Sequence, residues 1–510
     1  MNKKHIIFFL LIISTTFITL RCLTIPKIPL FWDESFYLSC AKNLVEDHQG
    51  NFFKICDPVK ENGGYYVNPI FIWLTSLSFL FFKNLIFAGR LTSILVSLIT
   101  LFLIFAILKI QKFKLAPYFS SILLLFLPFY SFYSQTATLE PSVNLFLTLS
   151  LFFALNLLHK ANVKNFFLFS ASQFISILTK ITVLLSLPLF VLLPIFKMNK
   201  KKLKSHLKLL TLLLTSFLIS IIAVRIYEIL INYLLLKYSE VKFSNFIFNR
   251  ISRISLAQVK TNLFVIRNQS FKYFTWPLLV LNFFACLYTI KRYLFRQKIY
   301  LLIAFCLFWE AVYIFLVVFL EVEQIHARRL YSIVIPFVLS TSIFLEKIYF
   351  FLKTRFFFSL VFFATLVPSI IFSSHLITDP QKADFPHDDF NQFFLDWTSS
   401  LGDYQVTQVL NQQAEKSYIV VFFKPTHLDY LAIKYNPHLN KEKITLIELP
   451  ELINPSEKTP TSFTRYPGTK KYLVKNCHHP KIFNTWPLTK VFSFTKSYAR
   501  EITLYQINLP

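Results

Sequence analysis

Residues 88–108 read AGRLTSILVSLITLFLIFAIL, twenty-one positions with one charge, Arg90. Wound as an α-helix at about 1.5 Å per residue, this stretch is about 31 Å long, the thickness of a bilayer's hydrocarbon core. Comparable apolar runs occupy 5–25, 116–134, 141–158, 209–230, 276–290, 299–320, 330–346 and 356–373. Residues 165–196 are too long for one span and short for two, and Lys180 sits in their middle. Two short helices meeting at Lys180 at a membrane surface account for them, which makes about 11 transmembrane helices. Composition agrees: of 510 residues, 55% are hydrophobic and 15% charged. A soluble domain needs about 25% charged residues to cover its surface. The expectation is an all-α polytopic membrane protein.

The charges orient it. The formal net charge is +27, which invites a nucleic-acid partner, but the basic residues fall in short clusters between apolar runs rather than on one face. No nucleic acid is expected. Residues 69–82, PIFIWLTSLSFLFF, are apolar but short. If they lie flat in the interface, the segments 1–4, 109–114, 159–164, 197–208, 291–298 and 346–355 share one side with twenty Lys/Arg and a single acid, Glu346. If they span, that asymmetry disappears. The positive-inside rule therefore makes 69–82 an interfacial helix, with a cytoplasmic amino terminus and 26–87 as the first outer loop. The opening MNKKHIIFFLLIISTTFITLRC resembles a secretory signal but lacks a small-residue cleavage site, so it reads as a retained first helix.

Loop 231–275 is an outer loop with an unusual balance. It carries Lys237, Lys242, Arg250, Arg253, Lys260, Arg267 and Lys272 against Glu240. A phosphate, an anionic lipid or a plain solvated surface all fit that excess. After residue 373 the chain turns polar. β-rich runs at Tyr418–Phe423, Ile444–Leu449, Tyr472–Lys475 and Ile502–Ile507, with Val406, Val409 and Leu410 at helical spacing, predict a small extracytoplasmic α/β domain over 374–510 beside a membrane domain over 1–373. Among six cysteines no metal-ligand spacing occurs, and Cys40 and Cys56 can pair if their loop lies outside the cytoplasm. Cys477-His478-His479 and His387-Asp388-Asp389 read as solvated surface, so no metal site is assigned. Six glycines form no phosphate-binding loop, which excludes a nucleotide-driven pump.

Chemistry-bearing residues follow in a set order. Phe31-Trp32-Asp33-Glu34 opens the first outer loop, and Tyr65-Tyr66-Val67-Asn68-Pro69 leads into the short helix. Gly89-Arg90-Leu91 begins a span, Leu139-Glu140-Pro141 closes the next outer turn, then come Thr179-Lys180 and His326-Ala327-Arg328-Arg329-Leu330-Tyr331. The ordered set resembles the GT-C membrane glycosyltransferases, and within them the superfamily of protein O-mannosyltransferases and lipid A aminoarabinose transferases. The likeness covers most of residues 1–350. It implies transfer of a sugar from a polyprenyl-phosphate donor to a glycan, lipid or protein acceptor on the outer face of the cytoplasmic membrane.

By that resemblance Asp33 is the catalytic general base and Glu34 its partner. Lys180, Arg328 and Arg329 would hold the donor phosphate, and Glu140, Tyr66 and Arg90 would contact donor or acceptor. Each has an ordinary reading too. Asp33 would cap a helix, Lys180 would snorkel at a hairpin, Glu140 would complement a helix dipole, and the arginines would anchor at the interface. Relatives often carry His-Pro-Pro where this chain has Val67-Asn68-Pro69, which leaves no histidine there. The family includes members that work without a metal, so a divalent ion stays open as the only cofactor. Glu310 sits mid-span in an apolar helix, a functional position by default, either paired with Arg225 or protonated. The rival readings are a transporter or flippase of a lipid-linked sugar or small anion, and a polymerase or ligase for surface polysaccharide. A transporter commonly shows an internal repeat, and none is visible here.

Overall fold

A computed structural model describes residues 3–46, 69–196, 203–235, 255–294, 301–320, 326–352, 354–395, 399–400, 402–423, 428–436, 439–449, 452, 458–476, 485–497 and 500–508. They fall into two compact units. The first comprises Met1–Ile25, Lys60–Leu74 and Arg90–Pro386, and the second Pro26–Val59, Thr75–Gly89 and His387–Pro510.

The helices run α1 (Lys3–Thr24), α2 (Trp32–Glu46), α3 (Pro69–Phe81), α4 (Leu85–Ile110), α5 (Ala116–Phe126), α6 (Pro128–Tyr133), α7 (Glu140–His159), α8 (Val163–Thr179), α9 (Leu187–Val191), α10 (Leu193–Phe196) and α11 (Leu203–Leu235). They continue with α12 (Leu256–Tyr273), α13 (Trp276–Leu294), α14 (Leu301–Leu320), α15 (Val334–Phe351) and α16 (Arg355–Thr378). Among the described residues seven helices are long and apolar enough to cross a membrane, and eight if α12 and α13, bent by 108°, form one broken span. The chain is therefore a multi-pass membrane protein, and its described residues contain fewer full-length spans than the eleven expected. At 13 residues α3 is about 20 Å long and falls short of the bilayer core.

The shortfall has a local cause. The stretch 116–134, expected as one span, is α5 and α6. Pro128 has no N–H and forces Leu127 out of helical geometry to φ −54°, ψ 119°. The break leaves the Leu125 carbonyl without its helical donor. Arg21, at the end of α1, supplies one: its Nη2 donates to Leu125 O at 2.8 Å and its Nε to Ser134 Oγ at 2.9 Å. The region 165–196 breaks where the sequence placed the break. α8 ends at Thr179, Lys180 is extended, and a 3₁₀ turn over Ile181–Leu185 precedes α9 and α10.

Contacts between helix ends in the first unit fall into two sets. At one set of ends Arg90 Nη1 donates to Ile25 O at 2.6 Å, Thr24 bonds Gln135, and Lys272 pairs with Asp384. The Arg90 contact ties the end of α1 to the early part of α4. At the other set Gln111 meets His159 at 3.1 Å, and Glu346 Oε2 accepts the N–H groups of Leu115 and Ala116 at 2.7 and 2.8 Å. The lone acid among twenty cations is thus a helix cap. It satisfies orphan donors of α5 and faces the positive end of that helix's dipole. Glu346→Ala leaves those amides unbonded and is expected to cost about 1–3 kcal/mol, read as a lower melting temperature of the purified protein. Glu346→Gln keeps an acceptor and should lose less.

The second unit holds a five-stranded sheet of order β2-β1-β3-β5-β4. Strands β1 (Ile419–Phe423), β2 (Ile444–Glu448) and β3 (Lys470–Asn476) are parallel, while β4 (Leu488–Ser497) and β5 (Arg500–Ile507) are antiparallel. Interior strand β1, IVVFF, is buried along its whole length, as a strand with parallel neighbours on both sides must be. One face packs Val420, Phe422, Leu473 and Ile507 with Phe463 and Trp486. Helix α17 (Asp403–Lys416) buries Val406, Leu410 and Ala414. It starts after Gly402, whose φ is +106° and where an added Cβ would fall 2.7 Å from the Phe494 ring, so no side chain fits there. Strand β4 was not expected, because register shifts at Lys490/Phe492 and Thr495/Ser497 break its alternation.

Helix α2 belongs to the same unit. Leu30 and Ser400 exchange hydrogen bonds (Leu30 N to Ser400 Oγ 2.7 Å, Ser400 N to Leu30 O 2.9 Å), and the Phe31 and Phe393 rings lie 4.6 Å apart. Lys42 approaches Glu448 at 3.7 Å. Helix α2 is therefore built onto the sheet-bearing part of the second unit across more than 350 residues of sequence.

Candidate active site

Lys180 and Glu140 meet where α8 ends and α7 begins. Lys180 takes extended backbone (φ −164°, ψ 125°) at the negative end of α8, and Glu140 is the first residue of α7, at its positive end. Each charge suits its helix end, and the two close on each other at Nζ–Oε1 2.7 Å. The carboxylate side chain is 4% exposed and the lysine 20%. An ammonium carries three donors. One is used on Glu140, and the group is held rather than free to snorkel.

The segment carrying Arg328 and Arg329 packs against the same helix. It is a 3₁₀ turn over Ala327–Ile333. Asn144, one helical turn after Glu140, donates Nδ2 to Tyr331 O at 3.3 Å, and Tyr313 Oη donates to Arg329 O at 2.7 Å. Both arginines are half-buried. Trp309 Nε1 donates to Ser186 Oγ at 3.0 Å, fixing the stretch after Lys180 to α14.

An aromatic wall lines this region. Tyr130 and Tyr331 stack with centroids 6.2 Å apart, Tyr133 meets Tyr331 at 5.3 Å, and Phe129 stacks on Tyr273 at 4.4 Å. Arg21 is buried beside these rings, over the Phe17 ring at 4.7 Å and bonded to Ser134 and the Leu125 carbonyl. The sequence motifs give Arg21 no part in the site. Its only signal is a single arginine on the last turn of the first span.

Asp33 and Glu34 lie in the second unit, in the first turn of α2. Asp33 is half-buried. Glu34 is fully buried, and its Oε2 accepts the Phe31 N–H at 3.0 Å. This is the reach-back half of a capping box. Glu34 rather than Asp33 makes that cap, which fixes the turn on which Asp33 stands. Arg90 is buried on the Ile25 carbonyl, and Tyr66 lies outside the described residues. Glu310 accepts from Ser340 Oγ at 2.8 Å and Asn282 Nδ2 at 3.4 Å, tying α13, α14 and α15 together, while Arg225 is exposed. Cys40 is disulfide-bonded, and Cys56 and Cys477 lie outside the described residues, as do His478 and His479. Among the described residues no three His, Cys, Asp or Glu gather as a metal site.

Residues 67–227 match the sequence model of the dolichyl-phosphate-mannose-protein mannosyltransferase family. The fold is similar to that of ArnT from Cupriavidus metallidurans bound to undecaprenyl phosphate, with TM-score 0.60 and 13% identity over 99% of this chain and 98% of that one. Apo ArnT gives 0.58 and 12% over 97% of each chain. The Archaeoglobus fulgidus oligosaccharyltransferase AglB, in complex with an inhibitory peptide and a dolichol-phosphate, gives 0.51 and 13% over 92% of this chain and 69% of its own. No curated protein matches the sequence. The likeness read from the ordered motifs thus recurs in a family match and in the fold.

Proposed function

We propose that this multi-pass membrane protein, which has the GT-C glycosyltransferase fold, moves a sugar from a polyprenyl-phosphate donor to an acceptor on the outer face of the cytoplasmic membrane. The acceptor is a hydroxyl or amine of a glycan, lipid or protein. The observation that carries the reading is the Lys180–Glu140 pair: a lysine held by a buried carboxylate in a fold whose relative was solved with undecaprenyl phosphate.

In the reaction the acceptor heteroatom bonds to the sugar's anomeric carbon and the bond to the phosphate oxygen breaks, with inversion by analogy to the family. The acceptor proton goes to the Asp33 carboxylate. The electron pair leaves with the polyprenyl phosphate, whose charge grows as the bond breaks. Fixed cations stabilise that charge most where water is excluded. The two ammonium donors of Lys180 not used on Glu140, and the guanidinium forks of Arg328 and Arg329, suit phosphate oxygens. Glu34 holds the turn that presents Asp33.

A disulfide at Cys40 supports an outward-facing first loop, since such bonds persist in oxidising compartments. The transporter reading gains nothing from Glu310, which is tied to serine and asparagine as an interhelical lock.

The test is lipid extraction and mass spectrometry of the purified protein, followed by incubation with synthetic polyprenyl-phosphate sugars. Polyprenyl phosphate or its sugar conjugate is expected to copurify, and sugar is expected to leave such a donor. A protein that carries no such lipid and consumes none of these donors would refute the reading.

A further inference from the structure

Helix α12 has a face whose composition the enzymatic reading does not use. It turns by 108° from the apolar helix α13, so when α13 crosses the bilayer α12 runs close to the membrane plane. Its inner face is Asn262, Ile266, Gln269 and Tyr273, all buried, and Asn262 Nδ2 donates to Val318 O at 2.9 Å. The opposite stripe is Lys260, Leu263, Phe264, Arg267 and Phe271, spaced at 3, 4, 7 and 11 residues from the first and all exposed, Phe264 by 68%. Trp276, exposed, stands at the bend.

No single medium but one suits that stripe. A water-facing surface has no use for three large apolar side chains, and a hydrocarbon-facing one has no place for two cations. The headgroup layer accepts both, with rings at the acyl boundary and cations at phosphate level. Residues 255–276 contain no Asp or Glu. Lys272 is paired with Asp384, which leaves Lys260 and Arg267 as the outward charges of the helix.

We propose that this stripe of α12 is a binding surface for anionic phospholipid headgroups, selecting them over zwitterionic ones. A juxtamembrane cation near an anionic surface is worth about five-fold in affinity, so two give roughly twenty-five-fold. The proposal rests on α12 alone and stands whether or not the chain transfers sugar.

The test uses the full chain in nanodiscs of phosphatidylcholine with and without phosphatidylglycerol, measuring retained lipid by native mass spectrometry. The parent is expected to prefer phosphatidylglycerol, and Lys260→Gln/Arg267→Gln to lose most of that preference while melting normally in phosphatidylcholine. If the double variant does not fold, Lys260→Arg/Arg267→Lys must keep the preference and each single glutamine variant must weaken it. A parent without preference, or a folded double variant that keeps it, overturns the proposal. So does a preference that falls with Lys180→Met instead, which would place the bound lipid at the donor site. Displacement of phosphatidylglycerol by millimolar inorganic phosphate would likewise mark a phosphate site rather than a headgroup surface.

Discussion

Asp33→Asn is expected to lower kcat/KM for sugar transfer by about 10²–10⁴, the usual worth of a general base. The substitution keeps the size of the side chain, and Asp33 is only half-buried, so melting temperature should stay close to the parent's. The neighbouring carboxylate offers the contrast. Glu34→Gln retains an oxygen for the Phe31 N–H, so it should transfer far better than Asp33→Asn. Glu34→Ala removes the cap and is expected to cost about 1 kcal/mol of stability. Transfer assayed beside melting separates the two acids. An Asp33→Asn protein that folds and transfers at the parent rate means that another group takes the proton.

Lys180→Met is expected to have two effects that come apart. It leaves the Glu140 carboxylate buried without its cation, which costs about 3–5 kcal/mol. It also removes a fixed positive charge from the donor phosphate, with a loss of about 10²–10³ in rate. Adding Glu140→Gln neutralises the stranded carboxylate, so the double variant should recover most of the stability. It should recover none of the transfer. If lysine were only the structural partner of Glu140, both properties would return together, and the double variant assayed in detergent with a polyprenyl-phosphate donor decides between these outcomes.

Much of the membrane architecture was legible because hydrophobicity and charge act locally. The length of 88–108, the shortness of 69–82 and the break at Lys180 each follow from a few adjacent residues. The likeness to GT-C enzymes was legible for a different reason: it lay in the order of weak motifs, none informative alone. The division of 116–134 was missed although Pro128 is in plain view. Summed apolarity does not register one proline, whereas the backbone does, through the ψ of Leu127. Arg21 shows the same blindness from the other side. A charge at the end of a span reads as an interfacial anchor, yet it is buried on a carbonyl that only the broken helix exposes.

By itself the sequence determined that the chain crosses a membrane many times, which ends carry positive charge, and that a polar α/β region follows. Those outcomes depend on transfer from water to lipid, which each segment undergoes almost independently of the others. The tertiary structure alone decided that Glu140 closes on Lys180, that Glu346 caps a helix more than two hundred residues away, and that the helix bearing Asp33 is built onto the C-terminal sheet unit. These pairings join groups far apart along the chain. Their energies arise only when packing has desolvated both partners and set them within hydrogen-bond reach, a condition that no window of neighbouring residues contains.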